Sequence, residues 1–447
     1  MLNPGELQVF DRLMRKRTHQ WGEDKKHWAY YDGSNRLAQL GIAIPDSLSI
    51  LETVVNWPQV VVEAIGERSD VKTIRRSGNL EADENLLGIF EANNMDTQMA
   101  MLTRDKLVYG RSFLSVGVNP DDQGQPTIMV ESPREITVEV DRKRRAISAA
   151  LRLVSSPADH DVEQDVSATL YFPNQTIWLE YVQGRWVETD RNVHNLGRVP
   201  LVMCLNRQET GEWLGRSEMR KIIPVTDSTV RTLTNLQFAI EAAAVPRKFV
   251  VGASEKDFVG PDGQQKTQWE SYFSSVWALA NKDAKVGQLA GADLKGFHET
   301  VDLYGRLAAS VTGFPPSYFG LHTANPPAEG AIRAMEARLV KTVERSNSEV
   351  GKALAWALDL AETLQGGDPV SGNRTVVEFH DPGTPTFAQR ADALTKMAGG
   401  VPIISREGAW DELGWSAPRM ERERERFAIQ DQDPAIQALN EKAEFLG

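Results

Sequence analysis

Between residues 313 and 330 the chain reads GFPPSYFGLHTANPPAEG, with four prolines and three glycines in eighteen residues. Proline fixes φ and lacks a backbone donor, and glycine is costly to order, so this composition predicts a loop without regular structure. From Gly330 to about Gln365 the pattern reverses. Ile332, Met335, Leu339, Val343, Val350, Leu354 and Leu358 keep to one face, while Arg333, Arg338, Lys341, Glu344 and Arg345 stay mostly off it. That spacing predicts a helix of about 50 Å. Gly366-Gly367-Asp368-Pro369 stops it, and the strand TVVEFH follows.

Upstream, the first fifty residues read as helical and then irregular, with Trp28, Tyr30 and Tyr31 as aromatic anchors. Residues 83 to 109 form one amphipathic helical stretch, ended by Gly110. From Phe113 to about Val187, short β-branched and aromatic runs alternate with turn signals, which predicts an α+β domain. After the strand VPLVMCLNR, residues 217 to 245 read as a helix that Pro224 must start, kink or split. The stretch 246 to 296 is a compact insert with the strand KFVVG, the turn GPDG and a Trp269–Trp277 segment, and a short helix spans about Glu299 to Val311. The tail is helical and highly charged. Its ERERERF run at 421–427 reads as a solvated helix with internal ion pairs, or alternatively as an interaction face.

A chain of 447 residues is too long for one core and predicts about three folding units. No apolar run approaches the roughly 18 residues that span a bilayer, so no membrane partner is expected. The N-terminus lacks the apolar core of a signal peptide, which predicts folding in a cytoplasm. The single cysteine, Cys204, lies in the apolar PLVMCLN and reads as a buried, inert thiol in a reducing compartment. Phosphate-cradling loops, H-E-x-x-H, C-x-x-C and G-x-S-x-G are all absent, and the seven histidines have no ligand-like spacing. One metal candidate remains. Glu378 and His380 would share a strand face, with Asp381 next to them, although an acidic strand end before a Pro-Gly turn is the plainer reading. That trio supports an alternative function, a metal-dependent hydrolase acting on nucleic acid. The net charge of −12 opposes tight wrapping around DNA, but not a surface past which DNA slides.

The order of elements from 196 to 365 resembles the portal proteins of tailed bacteriophages. In LGRVPLVMCLNRQETGEWLGRSEMRKIIPVTDSTVRTLTNLQFAIEAAAVPRKFVVG, Val199, Pro200, Asn206, Gly215, Ser217 and Pro246 match that family's entry to the stem. VTGFPPSYFGLHTANPPAEGAIRAMEARLVKTVERSN resembles its tunnel loop running into a long helix, LTRDKLVYGRSFLSVGV its wing, and PIISREGAWDELGWS its crown. Together these pieces cover most of residues 80 to 415. The resemblance implies an α+β portal-like fold with an α/β wing, a helical stem, a small β-containing clip insert and a helical C-terminal crown. The implied boundaries are wing 1–216 and 329–384, stem 217–245 and 297–312, clip 246–296, tunnel loop 313–328 and crown 385–447.

The function implied is non-enzymatic: a ring, usually of twelve subunits, at one capsid vertex. Double-stranded DNA would be packaged and ejected through it. The implied partners are further copies of the chain, the major capsid protein, the terminase large subunit and a head–tail adaptor, with no cofactor. On this reading Pro315, Pro316, Tyr318, Phe319, His322 and Asn325 form the channel loop. Ile332, Met335, Leu339 and Val343 pack the ring, and Phe249, Val251, Trp269 and Trp277 form the clip interface. A different head–tail adaptor or scaffold-binding protein is a third reading, disfavoured because such proteins are usually smaller and lack a helix–insert–helix stem.

Overall fold

The computed structural model describes residues 2–37, 53–79, 81–119, 124–154, 166–244, 248–252, 285–288, 294–322, 328–367, 374–383, 387–399 and 402–431. The chain divides into two compact units, Met1–Pro382 and Gly383–Gly447. Helices and antiparallel sheets are mixed throughout the first, and the second is helical among its described residues.

The first unit opens with α1 (Pro4–Asp32). Asn3 and Glu6 close a reciprocal capping box at its start, each side chain accepting from the other's backbone N–H. Helix α2 (Trp57–Gly66) and strand β1 (Val71–Arg76) follow. The expected single helix over 83–109 is two, α3 (Glu84–Ala92) and α4 (Met95–Tyr109). Asn94 breaks them apart in the left-handed region (φ 50°), a conformation asparagine tolerates.

The break has a structural use. Strands β2 (Arg111–Val118), β3 (Pro126–Glu131) and β9 (Leu201–Leu205) form a sheet in the order β3-β2-β9, leaving β3 at an edge. The Asn93 amide accepts from Ile128 N (2.8 Å) and donates to Pro126 O (3.0 Å). Gln98 accepts from Val130 N (2.8 Å). Two side chains thus satisfy an edge that would otherwise template pairing with another chain.

A second sheet is a meander in the order β4-β5-β6-β7-β8: Ile136–Asp141, Ala146–Val154, Ser167–Tyr171, Gln175–Val182 and Arg185–Val193. Phe10 and Leu13 of α1 pack on one of its faces, against Leu151, Leu170, Ile177 and Leu179. Its other face meets the first sheet through Phe113, Ile136, Val138, Ala150 and Leu201. The Arg111 guanidinium ties α1 to β2 by a bidentate pair with the Asp24 carboxylate (3.0 and 2.7 Å), both side chains nearly buried.

After β9 a single helical turn, Glu218–Lys221, leads into α5 (Ile223–Ala244), so Pro224 starts the helix rather than splitting it. The short hairpin β10 (Lys248–Val251) and β11 (Lys285–Gln288) precedes α6 (Lys295–Thr312), which packs against α5. The long helix α7 spans Glu329–Leu364, and β12 (Thr375–Phe379) returns to pair with β1. Two separate cores meet on α7. Val350, Leu354 and Leu358 join the first sheet with α3 and α4. Leu339 and Val343 join α2, α4 and α6.

A polar layer lies between these cores. Fully buried Lys106 donates to Ser346 O (3.0 Å), Ser346 Oγ (2.8 Å) and Glu349 Oε2 (2.9 Å). Beside it, Glu218 accepts from Arg207 Nε (2.6 Å) and Asn206 Nδ2 (3.1 Å). Burial alone would raise the Glu218 carboxyl, yet the Arg207, Asn206 and Arg345 donors hold it below the usual range.

Three residues of the stem-entry pattern, Asn206, Gly215 and Ser217, meet at this point, and Pro246 lies outside the described residues. Asn206 N donates to Gly110 O (2.9 Å), and Arg216 N donates to Asn206 O (2.8 Å). Gly215 and Gly110 lie backbone to backbone; a Cβ on Gly215 would fall 1.8 Å from Gly110 O. Cys204 is buried nearby in the first core, and burial raises its thiol to about 11, which keeps it an unreactive thiol.

In the second unit, α8 (Phe387–Ala398), α9 (Arg406–Glu412) and α10 (Ala417–Asp431) are described. Trp410 is stacked between Trp415 (5.7 Å) and Phe427 (5.6 Å). Arg419 and Arg406 cover the outer faces of these two rings, each at 4.2 Å. Within ERERERF, Arg426 pairs with Glu423 of the same helix, whereas Arg424 reaches Glu407 of α9 (2.6 Å), so the pairing is partly internal and partly between helices.

Three outcomes follow for stability. Gly215→Ala lowers it by about 4 kcal/mol or more, read as a melting temperature about 10 °C down, because only backbone can yield. Gly88→Ala, in exposed helix with nothing within 4 Å, changes it by about 1 kcal/mol or less, in the stabilising direction. Glu218→Gln destabilises the protein at neutral pH. A depressed folded pKa gives stability that is present above the unfolded carboxyl's range and lost as pH falls through the folded value. Urea titrations should therefore show the gap between wild type and Glu218→Gln narrowing as pH falls below about 4.3.

Candidate functional site: the loop between α6 and α7

The loop leaves α6 at Gly313, whose φ of 78° only glycine adopts cheaply. The Arg338 side chain of α7 lies across it, so a Cβ there would come within 2.2 Å of Arg338 Cδ. A regular element does occur in the loop: Pro316–Phe319 forms a turn of 3₁₀ helix. This corrects the expectation of irregular chain. Pro316 sits at the first position, where a missing N–H costs nothing, and burial of Phe319 holds the turn closed.

The aromatics point into their own protomer. Phe314 and Phe319 are 4% and 5% exposed, in the core built from α2, α6 and α7. Phe319 meets Trp57 edge-on at 5.6 Å, and Tyr318 meets Phe314 at 6.0 Å. Arg68 Nη2 donates to Tyr318 Oη (3.1 Å) and to Glu336 Oε1 (3.0 Å), linking α2, the loop and α7. Partial burial raises the Tyr318 phenol, which therefore stays protonated at neutral pH. Leu321 packs on Gly305 of α6.

The candidate channel residues thus separate. Pro315 and Phe319 are buried and Tyr318 is half-buried, and Trp57 and Arg68 hold the two aromatics against the protomer. Pro316 and His322 are exposed, and Asn325 lies outside the described residues. The ring-packing set separates as well. Leu339 and Val343 are fully buried in the protomer's own core. Ile332 and Met335, one or two turns earlier, are 42% and 39% exposed.

In the insert, Phe249 and Val251 are exposed on one face of β10, with the Phe249 ring covering Gly287 across the hairpin. Trp269 and Trp277 lie outside the described residues. The metal candidate is not assembled. Glu378 Oε1 accepts from Arg75 Nε (2.6 Å), and among the described residues no group of three His, Cys, Asp or Glu could hold an ion. Sequence reasoning missed Trp57, Arg68, Glu336 and Arg338. No local pattern marks them, since Arg68 and Tyr318 are 250 positions apart.

Comparison with known proteins agrees with this architecture. The family described as "Phage portal protein, SPP1 Gp6-like" matches residues 18–433. The portal protein of Mycobacterium phage L5 is 33% identical over 423 residues, covering 92% of this chain and 85% of its own. That of Mycobacterium phage D29 is 33% identical over 427 residues, covering 93% and 86%. A chain in the solved structure "Virion of native gene transfer agent (GTA) particle" shares the fold at a TM-score of 0.50 and 16% identity, over 88% of this chain and 99% of that one. The class is therefore a structural virion protein and not an enzyme. The chain belongs to the phage portal protein family, SPP1 Gp6-like. Among the described residues no helix is long and apolar enough to cross a membrane.

If Phe319 anchors the loop, Phe319→Ala costs about 3–5 kcal/mol. Amide exchange should then quicken across residues 314–321 while β2 stays protected. Tyr318→Phe should cost about 0.5–1.5 kcal/mol, the worth of one hydrogen bond.

Proposed function

We propose that this chain forms a closed ring at one capsid vertex, through which double-stranded DNA is packaged and ejected. The observation that carries the reading is the family match over residues 18–433. The helix–insert–helix arrangement α5, β10–β11, α6, followed by a loop whose first residues are anchored on α7 and Trp57, supports it. In this reading residues 1–216 and 329–384 are the wing, and 217–245 with 297–312 the stem. The clip is 246–296, the tunnel loop 313–328 and the crown 385–447.

Apolar side chains left exposed on one protomer supply the ring contacts: Ile332 and Met335 on α7, and Leu303 and Leu307 on α6. Twelve subunits is the number the portal family suggests. Phe249 and Val251 on the hairpin face of the insert would contact the terminase large subunit and later the head–tail adaptor, and the wing the major capsid protein. With Tyr318 and Phe319 anchoring the loop, the span 323–327 and exposed His322 are left to approach DNA.

Electron microscopy of the purified protein, with its mass in solution, tests the ring. Rings with a central channel are expected, and Ile332→Glu with Met335→Glu should abolish them while leaving the protomer's melting temperature unchanged. A double variant that still closes would remove α7 from the interface. Deleting 323–327 should leave rings intact and reduce packaged DNA; failure to form rings would make that span structural instead.

A further inference from the structure

The meander sheet carries a feature outside the residues assigned above to ring contacts and to the loop. Strands β4 and β5 are joined by Arg142-Lys143-Arg144-Arg145, four consecutive cations on a chain of net charge −12. All four are exposed. Their turn is built by Asp141, whose Oδ1 accepts from Lys143 N (2.8 Å) and Arg144 N (3.2 Å). That carboxylate, the nearest in sequence, is engaged by backbone. Among the described residues none of the four side chains forms an ion pair. Elsewhere the first unit pairs its arginines closely, as in Arg111–Asp24, Arg191–Glu6 and Arg207–Glu218.

We infer that this hairpin tip binds the phosphate backbone of double-stranded DNA, at a contact separate from the α6–α7 loop. Charge complementarity favours a polyanion, and three of the four groups are guanidiniums, whose planar fork matches phosphate oxygens. The surroundings favour nucleic acid over an acidic protein. Protein interfaces are centred on buried apolar or aromatic anchors, and no large apolar side chain is exposed anywhere on β4 or β5. Backbone phosphate binding needs no such anchor and reads no sequence.

Fluorescence anisotropy of the full-length protein with a random-sequence 30-base-pair duplex, across about 50–200 mM salt, tests the inference. The tip variant is Arg142→Ser, Lys143→Ser, Arg144→Ser and Arg145→Asn, with asparagine chosen because Arg145 has a φ of 52°. An unchanged melting temperature verifies the fold. The control removes charge elsewhere: Arg422→Ser, Arg424→Ser and Arg426→Ser in α10. Loss of four phosphate contacts should make the slope of log affinity against log salt shallower by about 3–4, with affinity near 50 mM salt falling about 10²-fold. The control should change neither comparably. A wild-type protein that does not bind the duplex, an unchanged slope in the tip variant, or an equal loss in the control would each overturn the inference. A tip variant that binds DNA normally yet fails to enter capsids would overturn it in favour of an acidic protein partner.

Discussion

Helix α7 belongs to two cores at once, and the polar layer at its middle decides how they are joined. Toward its C-terminus, Val350, Leu354 and Leu358 face the first sheet; toward its N-terminus, Leu339 and Val343 face α2 and α6. An apolar seam of this length could slip by a turn with little penalty. Lys106 prevents that. Its ammonium is fully buried and has its three donors directed to Ser346 O, Ser346 Oγ and Glu349. A slip would leave a buried charge unpaired, which costs far more than a displaced leucine. Glu218, held by Arg207 and Asn206, brings the start of α5 to the same layer. The register of the long helix and the point from which α5 departs are therefore fixed together.

The loop depends on that registration. Its first residues are held by groups on the N-terminal half of α7: Arg338 across Gly313, and Glu336 through Arg68 to Tyr318. Any shift of α7 would move both holds at once. The layer around Lys106 thus bears on where Gly313 and Tyr318 are held. Sequence-distant contacts also position the segment Gly313–Phe319. Prolines restrict its backbone, but the Phe319–Trp57 contact and the Arg68 bridge fix its position against the body.

Period and punctuation made much of the fold legible. The long helix α7 and the strand runs between about Phe113 and Val187 are local signals, and both are found, while Pro224, which could start, kink or split its helix, starts it. Asn206, Gly215 and Ser217 were matched to a family pattern without a physical reason. The structure supplies it in the Gly110–Gly215 backbone approach and the Asn206 bonds that bridge it. What sequence could not separate was the destination of apolar side chains. Leu339 and Ile332 have the same character on the same stripe, yet one is buried and the other exposed. The difference lies in whether α2 and α6 extend alongside, which is a tertiary fact. The packing of Phe319 is hidden for the same reason: an aromatic in a Pro-rich loop carries no sign of the tryptophan it will meet.

That separation within one helix bears on assembly. An apolar side chain buried in its own protomer has already contributed about 1.5–3 kcal/mol to folding and has nothing left for a neighbour. Ile332, Met335, Leu303 and Leu307 still have that contribution available, and they sit on helices whose positions are already settled by the cores beneath. Association through them would order little further backbone, so less of the gain is lost to entropy. Each such contact in a closed ring is heterologous and recurs at every interface, so a modest gain per protomer is multiplied around the ring. The same rigidity that holds the loop would therefore let a few exposed residues be sufficient for closure.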